Sequence, residues 1–303
     1  MKTSVITATS RKGYLPQIAR ALANQTMPPT DFEWIIVDDH FEKQRQIISG
    51  LLPESRPACQ IIHEPPDGLA EFYAPAAARN VGIRRATGEL IYYSNEYMLP
   101  CPETLARHWE LYQEHGEKTL LSGRIIEPNP HCKITLSLDR VKIDDGWRPD
   151  FGLTSANHIH PESRHREHAC RPIESRPQEP GGTTLYEIKD MRWWWAGRND
   201  SIPRSIVDAV CAFHVEHSMH TWKGAGPENE AFDGGYGYPD QQLAEEAHQI
   251  CGCRYLFDTL APAMEIPHAR GLGKPMIRTL TEQQALASQF AKERDNLLNV
   301  NVR

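Results

Sequence analysis

The chain has 303 residues, of which 40% are hydrophobic and 24% are charged, and its formal net charge is −7. This composition is typical of a globular protein with one large core or two modest ones. The acidic balance disfavours a sequence-independent grip on nucleic acid, and the apolar runs are too short for a membrane span. Met1 leads directly into an apolar segment rather than a signal peptide. With seven scattered cysteines, this predicts a cytoplasmic protein with free thiols.

Strand and helix patterns alternate along the first part of the chain. Apolar runs predict strands at 4–9, 32–37, 59–63 and 90–93, and helical spacing predicts helices at 15–25, 47–52, 74–86 and 102–115. The alternation predicts an α/β fold with a mostly parallel, doubly wound sheet flanked by helices. In such sheets a ligand binds beyond the carboxyl ends of the strands. Three polar clusters fall there, at residues 7–11, 38–39 and 95–96.

The remainder of the chain divides into a weakly patterned middle and a helical end. Residues 127–192 are rich in Pro, His and Arg, which predicts an irregular insert or lid. Its cluster of His158, His160, His165, His168 and Cys170 has the residue types of a zinc site, but the spacing fits no standard pattern and favours a solvated loop. Further helices are predicted at 206–217, 239–251 and 281–298.

Several charged residues have two interpretations. Asp38 and Asp39 follow a predicted strand, where a carboxylate either caps the next helix or accepts hydrogen bonds from a ribose or base. Arg79 either closes a surface salt bridge or binds a phosphate or base edge. Asp240 stands in the first turn of a predicted helix, where it either stabilises the helix dipole or acts as a general base toward an acceptor hydroxyl. His268 is a structural histidine unless a second metal ligand lies close to it.

Four strings resemble the inverting nucleotide-sugar glycosyltransferases of family 2 type, which have a GT-A nucleotide-binding domain. They are SVITATSRKGYLPQIARALANQ, FEWIIVDDHFE, AARNVGIRRATGELIYY, and GRNDSIPRS followed by AFDGGYGYPDQQLAEE. The last string is similar to the late element of galactosyltransferases. Together the strings cover about residues 3–115 and 195–270.

The resemblance implies a role for individual residues in binding the donor. Thr7 and Thr9 would line the nucleobase pocket, and Asp38, with Asp39 beside it, would bind the uracil or ribose of a UDP-sugar. Arg79 would contact the base or a phosphate. Asp240 would be the general base of a single displacement with inversion. Apart from the resemblance, Trp194 and Trp195 are either core residues or, with Tyr236, part of a wall for the sugar or acceptor.

The metal-binding motif of the family is altered in this chain. Asn95 and Tyr97 stand where the resemblance expects the two aspartates of Asp-x-Asp, with Glu96 between them. One possibility is that Glu96 and His268 hold a divalent ion, Mn²⁺ or Mg²⁺. The alternative is that a protein cation neutralises the diphosphate, and the candidates are Arg11, Lys12, Arg270 and Lys274.

The predicted organisation is one continuous catalytic domain in three parts. Residues 1–126 form the nucleotide-sugar-binding part, 127–192 the insert near the acceptor site, and 193–303 the acceptor and catalytic part with a terminal helix. The predicted function is hexosyl or pentosyl transfer. The alternatives are a catalytically silent nucleotide-sugar or glycan-binding protein and a nucleotidyltransferase. A glycan, a small molecule, a protein and a modified nucleic acid base stay open as acceptors, and so does the oligomeric state.

Overall fold

The fold comes from a computed structural model of the chain. It describes residues 1–68, 71–72, 74–126, 134–137, 140–143, 170–175, 183–188, 199–224, 226–234, 238–266 and 275–300. Within these ranges, no helix combines the length and apolarity that crossing a bilayer requires.

The described strands form one large mixed sheet and one small hairpin. The strands are β1 (Thr3–Thr9), β2 (Phe32–Asp38), β3 (Gln60–Glu64), β4 (Leu90–Ser94), β5 (Met98–Pro100), β6 (Thr119–Ile126), β7 (Ile134–Ser137), β8 (Arg140–Ile143), β9 (Cys170–Ser175), β10 (Thr183–Ile188), β11 (Asn199–Pro203) and β12 (Arg254–Glu265). The large sheet has the order β3-β2-β1-β4-β11-β6-β12-β10-β9, with β5 paired to β12, and β7 pairs with β8. Strands β3, β2, β1 and β4 are mutually parallel, as the strand–helix alternation predicts.

The described helices cover both faces of this sheet. They are α1 (Leu15–Ala23), α2 (Phe41–Ser49), α3 (Pro75–Arg85), α4 (Thr104–His115), α5 (Arg204–His217), α6 (Tyr238–Cys251) and α7 (Leu280–Val300). Side chains of a strand point alternately to opposite faces, so Ile35 and Val37 of β2 pack in one core with α3, α5 and α6. Trp34 and Ile36 pack in the other core with α1, α2 and α4.

The helix predicted at residues 47–52 lies earlier in the chain, as α2 at Phe41–Ser49. It buries only Gln44 and Ile48, so the apolar stripe that marks an amphipathic helix is almost absent from its sequence. The polar side chain of Gln44 contacts its surroundings by hydrogen bonds, as described below.

Strand β11 lies in the middle of the sheet although its sequence begins with three polar residues. Tyr92 Oη donates to Asn199 Oδ1 over 2.7 Å, and Asn199 Nδ2 donates to the carbonyl oxygen of Ala261 over 2.9 Å. Ser201 Oγ lies 2.7 Å from His108 Nδ1. These bonds satisfy the buried polar groups, which would otherwise destabilise a central strand.

The predicted insert contributes two strands to the large sheet. Strand β10 pairs antiparallel with β12 and β9 pairs antiparallel with β10, so both extend the sheet from its far end. The four histidines of the cluster that includes Cys170 lie outside the described residues. The division of the chain into three parts stays a prediction.

Candidate active site

The carboxyl ends of β1, β2 and β4 meet at one edge of the sheet. Thr9 pairs in register with Asp38, and β4 ends at Ser94, directly before the altered triplet 95–97. We call residues 9–11, 38–39 and 95–97 the carboxyl edge. Polar clusters far apart in the sequence are thus brought together, as parallel strands require.

Glu96 holds the loop that follows β1. Its Oε2 accepts hydrogen bonds from Thr9 Oγ1 over 2.6 Å, from the Ser10 amide over 2.8 Å and from the Arg11 amide over 3.0 Å. Glu96 is buried and serves as the anchor of this loop.

Arg11 brings a positive charge to the altered triplet. Its Nε lies 3.2 Å from Glu96 Oε1, and its Cζ lies 5.3 Å from the centroid of the Tyr97 ring, within cation–π range. Asn95 Nδ2 donates to Tyr97 Oη over 3.3 Å. The position of the expected metal motif therefore contains a guanidinium, one carboxylate, one amide and one phenol.

Asp38 and Asp39 differ in burial. Asp38 is completely buried, and its oxygens accept from the His40 amide over 2.7 Å and from Gln44 Nε2 over 3.0 Å. Its Oδ2 lies 2.9 Å from His63 Nε2. Asp39 is partly exposed, so it is the carboxylate at the end of β2 that solvent reaches, whereas the resemblance emphasises Asp38.

Thr7, a further predicted nucleotide contact, lies in the interior. Thr7 is fully buried, and its Oγ1 accepts from Trp34 Nε1 over 3.1 Å. It therefore lies inside the sheet, two residues before the end of β1. Gln44 Nε2 donates to the carbonyl oxygen of Arg11 over 3.2 Å, so the loop after β1 is held by Gln44 on one side and by Glu96 on the other.

Arg79 pairs with a carboxylate from a distant part of the chain. Its Nε and Nη2 lie 2.8 and 2.7 Å from Glu228 Oε2. Next to it, Asn80 Nδ2 donates to the Glu228 carbonyl over 2.8 Å, and Asn80 Oδ1 accepts from the Glu228 amide over 3.1 Å. At Gly226 an added Cβ would overlap the Asn80 side chain, so glycine permits this close approach. The alternative that Arg79 closes a salt bridge describes this geometry, although the bridge is buried.

Asp233 attaches the same distant segment to the start of α3. Its two carboxylate oxygens accept hydrogen bonds from the backbone amides of Ala76 over 2.9 Å and Ala77 over 3.0 Å. Amides of the first helical turn have no acceptor within the helix itself. Burial raises the pKa of Asp233 to about 6, against the lowering effect of these two bonds. We call residues 76–80 together with 226–233 the α3 interlock.

The α3 interlock is connected to α6, the helix whose first turn contains Asp240, the predicted base. The Asn229 amide donates to Gln242 Oε1 over 3.0 Å, and Gln242 follows Asp240 by two positions in α6. The backbone of Asp240 is described as part of that helix, and its side chain lies outside the described residues. Also outside them are four predicted site residues: Trp194, Trp195, Tyr236 and His268.

Sequence reasoning identified Arg79 but missed its partners. Glu228 and Asp233 lie in the string GPENEAFDGG, whose three acidic side chains within a Gly-containing loop were the available signal. Their partners lie about one half of the chain away, and no local pattern encodes such a pairing.

The altered triplet does not fit a divalent metal site in this arrangement. The oxygens of Glu96 are taken by the loop after β1 and by Arg11, at odds with the prediction that Glu96 is a metal ligand. Among the described residues, no three side chains of His, Cys, Asp or Glu cluster closely enough to hold an ion. The predicted partner His268 is not among them.

A family comparison matches the N-terminal half of the chain. The model of glycosyl transferase family 2 matches residues 3–152, which contain the whole carboxyl edge. No curated protein matches the sequence.

Solved structures match nearly the whole chain at low identity. S. aureus TarS 1-349 in complex with UDP-GlcNAc has a TM-score of 0.59 at 13% identity, covering 97% of this chain and 66% of that chain. The complex of TarS 1-349 with UDP has a TM-score of 0.50 at 15% identity, covering 89% and 59%. GalNAc-T7 with UDP, GalNAc and Mn²⁺ has a TM-score of 0.56 at 14% identity, covering 95% and 48%. These likenesses confirm the predicted GT-A-type α/β fold, and the chain spans two thirds of those proteins or less.

Proposed function

We propose that this chain, whose residues 3–152 match the model of glycosyl transferase family 2, is a member of that family and moves a sugar from a UDP-sugar to an acceptor hydroxyl. The observation that carries the proposal is the meeting of three strand ends at the carboxyl edge, with Arg11 and Asp39 partly exposed there. In addition, similar folds are solved with UDP-GlcNAc and with UDP bound.

The donor lies against the carboxyl edge in this proposal. Asp39 accepts hydrogen bonds from the ribose or base, and Arg11 faces the diphosphate. Asp38 takes a different role from the one that the resemblance implies. Because it is completely buried and bonded to Gln44 and His63, it positions the two neighbouring side chains rather than contacting the nucleotide.

The transfer is a single displacement at the anomeric carbon. An acceptor oxygen forms a bond to that carbon while the bond from the carbon to the diphosphate oxygen breaks, so the configuration inverts. The acceptor proton passes to the carboxylate of Asp240, and the bonding electrons leave with UDP. General-base catalysis requires a carboxylate beside the acceptor hydroxyl, and donors aimed at the leaving oxygen lower the barrier further.

The α3 interlock supports Asp240 as the base. Asp233 and Glu228 attach the segment before α6 to α3, and α3 begins at the same end of the sheet as the carboxyl edge because it follows the parallel strand β3. Gln242 then joins α6 to that segment. The first turn of α6, with Asp240, is thereby joined to the start of α3, which supports a position for Asp240 near the proposed donor site.

The test compares two carboxylate-to-amide changes on one helix. Asp240→Asn should reduce UDP release from UDP-sugars by about 100-fold or more, the size of a lost general base, while the Kd for UDP stays unchanged. The matched control is Glu245→Gln on the same helix. The Glu245 side chain is 32% exposed, and its ion pair with Arg294 is long, at 3.5 Å. UDP release is measured over a panel of UDP-sugars with and without Mn²⁺, in the absence and presence of candidate acceptors.

Two results would contradict the proposal. Normal turnover in Asp240→Asn would show that Asp240 is not the general base, but it would not contradict the proposed sugar transfer. Binding of UDP-sugars by the wild-type protein without turnover under any condition would favour the catalytically silent binder.

A further inference from the structure

We propose that Arg11, held by Glu96, is the cation that neutralises the donor diphosphate, in the place where the family resemblance expects a metal ion. The inference rests on the proposed function, since it concerns the same donor. It assigns a diphosphate-binding role to one side chain and predicts that divalent metal is dispensable.

The first observation concerns the acceptor capacity of Glu96. Its Oε2 receives three hydrogen bonds from the Thr9 hydroxyl and the amides of Ser10 and Arg11, and its Oε1 faces Arg11 Nε. Metal binding by Glu96 would release these donors inside a buried site, and leaving buried donors unpaired is costly. The carboxylate is therefore committed to Arg11 and its loop.

The second observation concerns the fixation of Arg11. Its amide is bound by Glu96, and its carbonyl oxygen accepts from Gln44 Nε2. Its guanidinium is oriented by the Glu96 carboxylate and the Tyr97 ring, and its side chain is 14% exposed. A positively charged group held in one position loses little conformational entropy when it binds an anion.

The third observation concerns the charge of the altered triplet. Two aspartates without a metal ion would repel a diphosphate, so a site with Asp-x-Asp needs the dication. Here Asn95 and Tyr97 are neutral at those positions, and Glu96 forms an ion pair with Arg11. The altered triplet together with Arg11 therefore carries no net charge when no metal is bound, whereas Asp-x-Asp alone carries two negative charges.

A guanidinium suits the task chemically. It stays protonated and presents N–H donors in a planar fork that matches phosphate oxygens. When the bond between the anomeric carbon and the diphosphate oxygen breaks, UDP gains one negative charge. A fixed cation at that point stabilises the transition state more than the ground state.

The first experiment measures UDP binding to the wild-type protein by calorimetry in EDTA and in Mn²⁺. We expect the two Kd values to agree within about twofold, a difference of less than 0.5 kcal/mol. A requirement for Mn²⁺ would overturn the inference and leave the proposed function intact. Absence of UDP binding in both buffers would instead contradict the proposed function itself.

The second experiment locates the cation in the sequence. Arg11→Gln should weaken UDP binding in EDTA by about 10- to 100-fold, as expected for lost bonds to a charged group. Arg11→Lys keeps the charge without the fork and should fall between Arg11→Gln and the wild type. Lys12→Gln makes an equal charge change at the other candidate cation of this loop, which is exposed; if Arg11 is the diphosphate contact, this change should leave the Kd nearly unchanged.

Uridine and thermal unfolding complete the design. Uridine has no phosphate, so the same Arg11→Gln change should leave its binding unaffected, and unfolding temperatures establish that each variant is folded. Equal losses for Arg11→Gln and Lys12→Gln would overturn the inference, because they would indicate a general charge effect. An equal loss for uridine and UDP would also overturn it, since it would indicate a damaged loop.

Discussion

Arg79 and Arg11 each lie beside a carboxylate, and their different surroundings lead us to propose different roles for them. Arg79 in the α3 interlock pairs with Glu228, and the two side chains are 7% and 2% exposed. Arg11 at the carboxyl edge pairs with Glu96 at the end of a sheet, where its side chain is 14% exposed and faces an aromatic ring. The first pair joins two parts of the fold, whereas the second lies at the carboxyl edge, where we propose that the donor binds.

The comparison changes the assignment that the family resemblance gives to Arg79. That resemblance places a phosphate or base contact on Arg79, but the Glu228 carboxylate lies within 2.8 Å of its guanidinium. A ligand phosphate would have to displace Glu228 from Arg79, and the Glu228 carboxylate would then be buried without a partner charge. The location and the partner of an arginine, rather than its motif, therefore indicate whether it binds phosphate.

The largest expected effect comes from breaking the buried pair. Arg79→Gln leaves Glu228 buried without its cation and should lower the free energy of unfolding by about 3 kcal/mol. Urea denaturation followed by tryptophan fluorescence measures this value. The folded fraction should still bind UDP with a Kd close to that of the wild type, because the Arg79 guanidinium is engaged by Glu228.

The control for this change is on the same helix. Arg85 pairs with Glu64 at 2.8 Å, but its side chain is 59% exposed, so Arg85→Gln should cost less than about 1 kcal/mol. The comparison of the two regions would fail if Arg79→Gln left stability unchanged and abolished UDP binding. Arg79 would then be the phosphate contact that the resemblance implies.

The carboxyl edge could be predicted from the sequence to a large extent. The apolar runs of β1, β2 and β4 end in polar residues, and parallel pairing then brings Thr9, Asp38 and Asn95 to one edge. The sequence could not predict which of these side chains are exposed. Asp38 and Asp39 are adjacent in the chain, and only the packing of Gln44 and His63 distinguishes them.

The α3 interlock could not be predicted in the same way. Its hydrogen bonds join residues that are 148 to 157 positions apart, and nothing local in either segment specifies the other. Strand β11 was missed for a related reason. Asn199, Asp200 and Ser201 have low strand propensity, and their burial depends on partners from other strands and helices.

The next largest effect concerns the protonation of Asp233. Its pKa in the folded protein is about 6 against an ordinary value of 3.8, so the folded state binds the proton more tightly than the unfolded state. This group therefore contributes stability that is complete below the ordinary pKa and is lost as pH rises through about 6. Relative to the Asp233→Asn variant, the wild type should gain about 2 kcal/mol between about pH 7.5 and about pH 4.5.

The free energy of unfolding of both proteins is measured at each pH. In the difference between the two values, the contributions of the other titrating groups cancel. The cancellation matters because burial lowers the pKa of His108 and of His214 to about 3, which opposes Asp233 as the pH falls. A difference that does not vary with pH would show that Asp233 is not buried against the start of α3 in solution.

The smallest expected effect distinguishes the two adjacent carboxylates of the carboxyl edge. Asp38→Asn replaces a buried acceptor of several hydrogen bonds and should lower the free energy of unfolding by about 1–2 kcal/mol. Asp39→Asn should change it by less than about 0.5 kcal/mol, because the residue is partly exposed. Asp39→Asn should instead raise the Kd for UDP about fivefold, the value of one ordinary hydrogen bond.

Uridine makes this last comparison specific for the carboxyl edge. Because Asp39 is proposed to contact the ribose or base, Asp39→Asn should weaken the binding of uridine and UDP by the same factor. Arg11→Gln should weaken only UDP, since its partner is the diphosphate. If Asp38→Asn weakened uridine binding at unchanged stability while Asp39→Asn had no effect, the nucleoside would be bound by Asp38, and its buried state would have to open when the donor enters.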